Sequence, residues 1–197
     1  MALSLTNADI VGRLKLLADR HLKADSGSTT TAVNSTLIDE VSLANSFICF
    51  ITGDNIGVDK VITAFDDTTG TITFDALTSA VTNTDEFCIV QTGFKSDAAQ
   101  AENIIRNDLR NQGYSLDLFL TSAQLKEMHI YKTIEIICAS LMNDGSDEDA
   151  YFVHKNDFYK LYETERNNML ADYDSNEDGE ISTDEEELYL NQSYVVR

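Results

Sequence analysis

The sequence predicts a mainly α chain, a helical bundle, that carries an inserted small antiparallel β-sandwich or barrel module, so the fold class is α+β overall. Three observations predict it. Apolar residues recur every three to four positions near the N-terminus and again from residue 96 onward. Between them, residues 28–93 are rich in Thr, Val, Ile and Phe and are punctuated by Gly, Asn and Asp, as short strands and turns are. Helical patterning that stops and resumes around such a stretch is most simply one helical domain with an insertion. The expected division is 1–27 for the first helix of the bundle and 28–95 for the β-module. Residues 96–172 form the rest of the bundle, and 173–197 an acidic loop and C-terminal tail.

In order along the chain, residues 7–24 carry Ile10, Leu14 and Leu17 in one stripe, widened by Val11 and Leu22, which predicts a helix. Thr6 followed by Asp9 is a capping box for it, and "DSGSTTT" breaks it. "FICFITGD" reads as a strand ending in a turn, and "KVITAFDDTTGTITFD" as two strands joined at "DDTTG". Ile72 and Phe74 alternate with Thr71, Thr73 and Asp75, which leaves one face of that strand wet. "EFCIVQTG" closes the module, for five or six short strands in all. Ser96 opens a helix that ends at Gly113. Thr121 and Gln124 box the start of the next, whose stripe runs Leu125, Met128, Ile134, Ile137, Cys138 and Leu141. Ser146 and Asp149 box a last helix with Tyr151, Phe158, Leu161, Tyr162, Met169 and Leu170 on its apolar side.

Composition excludes several function classes. The 197-residue chain carries a formal charge of −20. Of this, −12 falls in residues 144–197, with 16 acidic and 4 basic side chains. A surface this acidic argues against gripping the DNA backbone. No apolar run is long enough to span a membrane. The N-terminus lacks the charged-then-apolar order of a signal peptide, so a cytoplasmic product is expected. Cys49, Cys88 and Cys138 have no metal-ligand spacing and sit among apolar neighbours, which predicts buried free thiols. G-x-S-x-G, Walker and H-E-x-x-H patterns are all missing, so no enzyme is expected.

One segment does carry chemistry. "DSNEDGEISTDE", residues 174–185, meets the EF-hand template at each constrained position. Asp174, Asn176, Asp178, Ser182 and Glu185 supply side-chain oxygens, Glu180 a backbone carbonyl, Gly179 the sharp turn and Ile181 the apolar position. Ca²⁺ prefers six to eight such oxygens. Nine carboxylates fall within 172–187 with no Lys or Arg, a repulsion that a divalent cation relieves. EF-hands pair, and no second loop exists, so the expected Ca²⁺ affinity is low, on the order of 10⁻⁴ to 10⁻³ M. The alternative reading is an acidic, solvated turn.

Two stretches also resemble head–tail adaptor (connector, neck) proteins of tailed bacteriophages. One is the β-run with its Thr-rich start, the "TAFDDTTGTITF" hairpin and the "TNTDEFCIV" strand. The other is "YKLYETERNNMLADYDSNEDGEISTDEE", where a helix with Tyr and acidic residues enters a D-x-D-x-DG-like turn. The resemblance implies a structural virion protein with no catalytic site, assembled in the host cytoplasm and located in the virion neck. It implies a self-associated ring, commonly of twelve copies, that docks on the portal protein and meets other neck or tail-completion proteins. DNA would pass through its acidic lumen without specific binding, and no membrane is involved. The Tyr/Phe stripe over 151–162 then reads either as a portal or inter-subunit contact or as core. The competing function is a soluble calcium-binding module or calcium-responsive adaptor built on the single loop.

Overall fold

The computed structural model describes residues 4–115, 122–143 and 148–168. The fold is α+β, a seven-stranded antiparallel sheet curled into a half-barrel plus four helices. The chain divides into two compact units, Thr6–Lys95 and the helices from Ser96 onward.

The first unit opens with α1 (Asn7–Arg13), capped as the sequence predicts. The Thr6 hydroxyl accepts from the Asp9 amide at 3.1 Å, and the Asp9 carboxylate accepts from the Thr6 amide at 3.0 Å. The helix is much shorter than the stripe over 7–24. Leu14 leaves helical geometry at φ −139°, ψ 89°, a single 3₁₀ turn covers Lys15–Leu17, and Arg20–Lys23 is strand β1. Pairing explains the difference: the backbone of 20–23 binds the sheet register of β7, and tertiary hydrogen bonds outweigh a local helical stripe. Residues 6–27, expected in the helical bundle, thus belong to the β unit.

The remaining strands are β2 (Ser26–Gly27), β3 (Thr31–Val33), β4 (Phe47–Phe50), β5 (Asp59–Asp66), β6 (Thr71–Phe74) and β7 (Glu86–Val90). Their order is β1-β7-β4-β5-β6-β3-β2. The two edge strands are separated by only Ala24 and Asp25. The Ala24 amide donates to the Asp85 carbonyl at 2.9 Å, toward β7, and the Asp25 amide to the Val33 carbonyl at 2.8 Å, on β3. One stretch of chain therefore touches both ends of the sheet, and this curls it.

Its concave side holds Ile48 and Phe50 of β4, Ile62 of β5, Ile72 and Phe74 of β6, and Phe87 and Ile89 of β7. The strict alternation of β6, buried at Ile72 and Phe74, is the period-2 pattern read above. On the convex side, Ala8 and Val11 of α1 pack over Cys49, Cys88 and Val90. The β5–β6 turn depends on Gly70, at φ +65°, where a Cβ would stand 2.2 Å from the Asn34 carbonyl oxygen. Asn7 ties the two ends of the unit: its side-chain amide donates to Asp59 at 2.8 Å, and its carbonyl accepts from the Phe94 amide at 2.9 Å.

The second unit comprises α2 (Lys95–Asn111), α3 (Ser122–Asn143) and α4 (Glu148–Asn168). Gly113, at φ +89°, follows the end of α2. Ile105 and Leu109 of α2, Leu125 and Met128 of α3, and Tyr162 of α4 form the shared core. Ile134, Ile137 and Cys138 continue the α3 stripe inward, as does Ile130. The capping residues Thr121 and Ser146, and Met169 and Leu170, lie outside the described residues. Leu161 differs from expectation: it is exposed, because a 100° step along the helix gives the inward position to Tyr162.

Candidate functional site

The six candidate calcium ligands, Asp174, Asn176, Asp178, Glu180, Ser182 and Glu185, lie outside the described residues. Among the described residues, no group of three or more His, Cys, Asp or Glu side chains could hold a metal ion. No described helix is long and apolar enough to cross a membrane.

The aromatic stripe of α4 is brought onto two different faces. Phe158 and Tyr162 turn inward, and the Phe158 ring lies 5.9 Å from that of Tyr131 on α3. Phe152, Val153 and Tyr159 are about half exposed, at 52%, 54% and 46%. Phe152 and Tyr159 are seven residues apart and share a side of the helix; Leu161 adds apolar surface elsewhere on it. The stripe is thus part core and part surface, and its spacing alone could not divide the two.

A polar network fixes this helix. The buried Tyr162 hydroxyl donates to the Asp108 carboxylate on α2 at 2.7 Å. The Lys132 ammonium stands 4.9 Å from the centre of the Tyr162 ring while pairing with Glu135 at 2.7 Å. The Arg166 guanidinium is 6.0 Å from the same ring and pairs with Glu163 at 2.6 Å. Burial first, then the bond to Asp108, pushes the Tyr162 phenol well above its usual range. It therefore stays a neutral donor, and the network works as a clamp on α2, α3 and α4 rather than as acid–base machinery. Sequence periodicity placed Tyr162 inside but carried no signal for its partner Asp108, 54 residues away.

His129 of α3 is a second buried polar group, 1% exposed. Its Nε2 donates to the Ala98 carbonyl of α2 at 2.7 Å, so Nδ1 is the lone-pair nitrogen, and it has no hydrogen-bond partner. Burial holds its pKa below the ordinary histidine value.

In the β unit, a cleft of about 250 Å³ runs between α1 and the β4–β5 connection. Phe50, Ile51 and Ile56 give it apolar walls, Asp9 and Arg13 line it with charge, and Gly12 leaves open space where a side chain would stand. The cysteines are buried and free, as read from the sequence, and burial raises their thiols, to about 11 for Cys88 and Cys138.

No protein-family model, curated protein or solved structure matches the chain.

Proposed function

We propose that the chain is a structural component of a tailed-phage neck, an adaptor ring that docks on the portal. The observation that carries this reading is the outward apolar side of α4. Phe152, Val153 and Tyr159 are about half exposed while Tyr162 and Phe158, a few residues away, are packed. Scattered exposed apolar residues are ordinary, but aromatic side chains grouped on a helix tied down at Tyr162 suit a contact with a partner. The same helix contains the start of the stretch whose sequence resembles adaptor proteins. Portal protein, other neck or tail-completion proteins and further copies of this chain are the proposed partners. The charge of −20 supports a lumen along which DNA slides without sticking.

In the same reading, Asp174, Asn176, Asp178, the Glu180 carbonyl, Ser182 and Glu185 take a divalent cation, with Ca²⁺ as the cofactor class. The spacing of that loop favours the second reading, a calcium-binding module. Particle mass separates the two. Mixed with portal rings of its source phage and imaged by negative stain, the protein is expected to decorate the ring. Phe152→Asp combined with Tyr159→Asp should abolish decoration while leaving the melting temperature within a few degrees. A chain of 21.9 kDa that stays monomeric with every portal and changes shape with Ca²⁺ would instead support the calcium module.

A further inference from the structure

Across the convex side of the sheet, four residues with metal-binding side chains stand directly opposite one another on successive strands. His21 of β1 faces Cys88 of β7, Cys88 faces Cys49 of β4, and Cys49 faces Asp59 of β5. Residues directly opposite point to the same face of a sheet, so the four form one row. Its two central members are thiols with 0% exposure, covered by Ala8 and Val11 of α1.

The hydrogen-bond pattern sets the spacing within the row. The Phe50 amide donates to the Val58 carbonyl, and the Phe50 carbonyl accepts from the Gly57 amide, so Phe50 directs its backbone toward β5. The Ile51 amide donates to the Glu86 carbonyl, toward β7. Cys49 follows Ile51 in the alternation, and Cys49–Cys88 is therefore a hydrogen-bonded pair, with Cβ atoms about 5.5 Å apart. A disulfide needs a Cβ separation of roughly 3.5–4.5 Å, so the pair is too wide for direct oxidation without moving the strands. A metal bridge is longer. With thiolate–metal bonds of about 2.3 Å, two sulfurs on a linear ion stand roughly 4.6 Å apart, a span that a 5.5 Å pair accommodates. The outer pairs of the row, His21–Cys88 and Cys49–Asp59, are by the same alternation the closer, non-hydrogen-bonded kind. Both outer side chains are engaged elsewhere: His21 Nε2 lies 3.1 Å from Glu86 and 3.3 Å from Lys15, and Asp59 accepts from Asn7. Four ligands spread over four strands cannot converge on one tetrahedral ion, which agrees with the lack of any group of three metal-binding side chains among the described residues.

We propose that Cys49 and Cys88 form a two-thiol site for one soft, two-coordinate d¹⁰ cation of the Cu(I), Ag(I) or Hg(II) class. Thiolates select such ions over harder ones, and two-coordination needs no third ligand. On binding, each S–H bond breaks, its proton passes to solvent, and the sulfur lone pair forms the S–metal bond; nothing is oxidised or reduced. Entry requires α1 to lift; it is a helix of only seven residues, held by its capping box, the Asn7 contacts, the bond from the Thr6 hydroxyl to the Gly57 carbonyl and the packing of Ala8 and Val11.

The test uses the full chain with Hg(II) and Ag(I) as probes and Zn(II) as control. One equivalent of either soft ion should protect Cys49 and Cys88 together from alkylation, read by peptide mass spectrometry, with the far-ultraviolet circular dichroism unchanged. Cys49→Val and Cys88→Val keep the apolar packing and should each weaken binding at least 100-fold, whereas Cys138→Val should leave it unchanged. Cu(I) held by a competing chromophoric chelator should be drawn off by the parent and not by either valine variant. The proposal is overturned if the two single variants bind as tightly as the parent, if Zn(II) competes equally, or if Cys138 is protected first. It is also overturned if diamide links Cys49 to Cys88 in the folded protein, because the spacing would then suit a disulfide.

Discussion

Removing a single oxygen from Tyr162 tests whether the clamp on α4 is real. In Tyr162→Phe the ring remains, still 1% exposed and still under Lys132 and Arg166, so packing and cation–π contact are retained. What disappears is one hydrogen bond of 2.7 Å to the Asp108 carboxylate. A hydrogen bond to a charged group contributes about 1.5–3 kcal/mol. Asp108 is only half-buried, so water can replace the lost donor, which puts the expected cost at the lower end, about 1.5–2 kcal/mol. Tyr162→Ala, which also empties the core of the helical unit, should cost more, about 3–5 kcal/mol. The assay is urea unfolding followed at 222 nm for the parent, Tyr162→Phe, Asp108→Ala and the double variant. If the two groups act on each other, the double variant loses about as much as either single one, a coupling of at least 1 kcal/mol. Additive losses, or a Tyr162→Phe chain within about 0.5 kcal/mol of the parent, would refute the clamp.

Three further predictions concern the backbone, the ends of the β unit and pH. Gly70→Ala forces a side chain into the left-handed region and against the Asn34 carbonyl, and should cost about 2–3 kcal/mol. Gly57→Ala, at a similar φ of +82° but with open space around it, should cost only about 1–2 kcal/mol; paired thermal melts compare the two. Asn7→Ala removes the donor to Asp59 and the acceptor for Phe94, and should destabilise the β unit by about 1–3 kcal/mol, seen as faster amide exchange in β4 and β7. His129 is held neutral by burial, so its folded pKa lies below its unfolded one. Its contribution is fully present above the unfolded value of about 6.5 and is lost as pH falls from there through the folded value. Comparing urea midpoints at pH 7.5 and 5.5, the parent should lose more stability on acidification than His129→Gln.

Much of this chain is written locally. The capping box at Thr6 and Asp9, the alternation of Ile72 and Phe74, the "DDTTG" turn and the inward stripe of α3 depend on residues within a few positions of one another. Periods of 2 and 3.6 follow from backbone geometry and are legible in any sequence that buries one face. The α+β class and the apolar, unpaired state of the cysteines were determined in the same way. Other features were decided only by tertiary structure, because they are contacts between distant segments. Residues 20–23 carry part of a helical stripe, yet β7, more than 60 positions away, offers them backbone partners and makes them a strand. Leu161 and Tyr162 are both apolar enough for a core, and only the position of Asp108 and Lys132 shows which one faces in. Cys49 and Cys88 are 39 residues apart with nothing in their spacing to connect them; the β4–β7 register sets one opposite the other. Local sequence specifies which way each side chain alternates. Register and packing specify what it meets, since those depend on which distant backbone groups satisfy each other's hydrogen bonds.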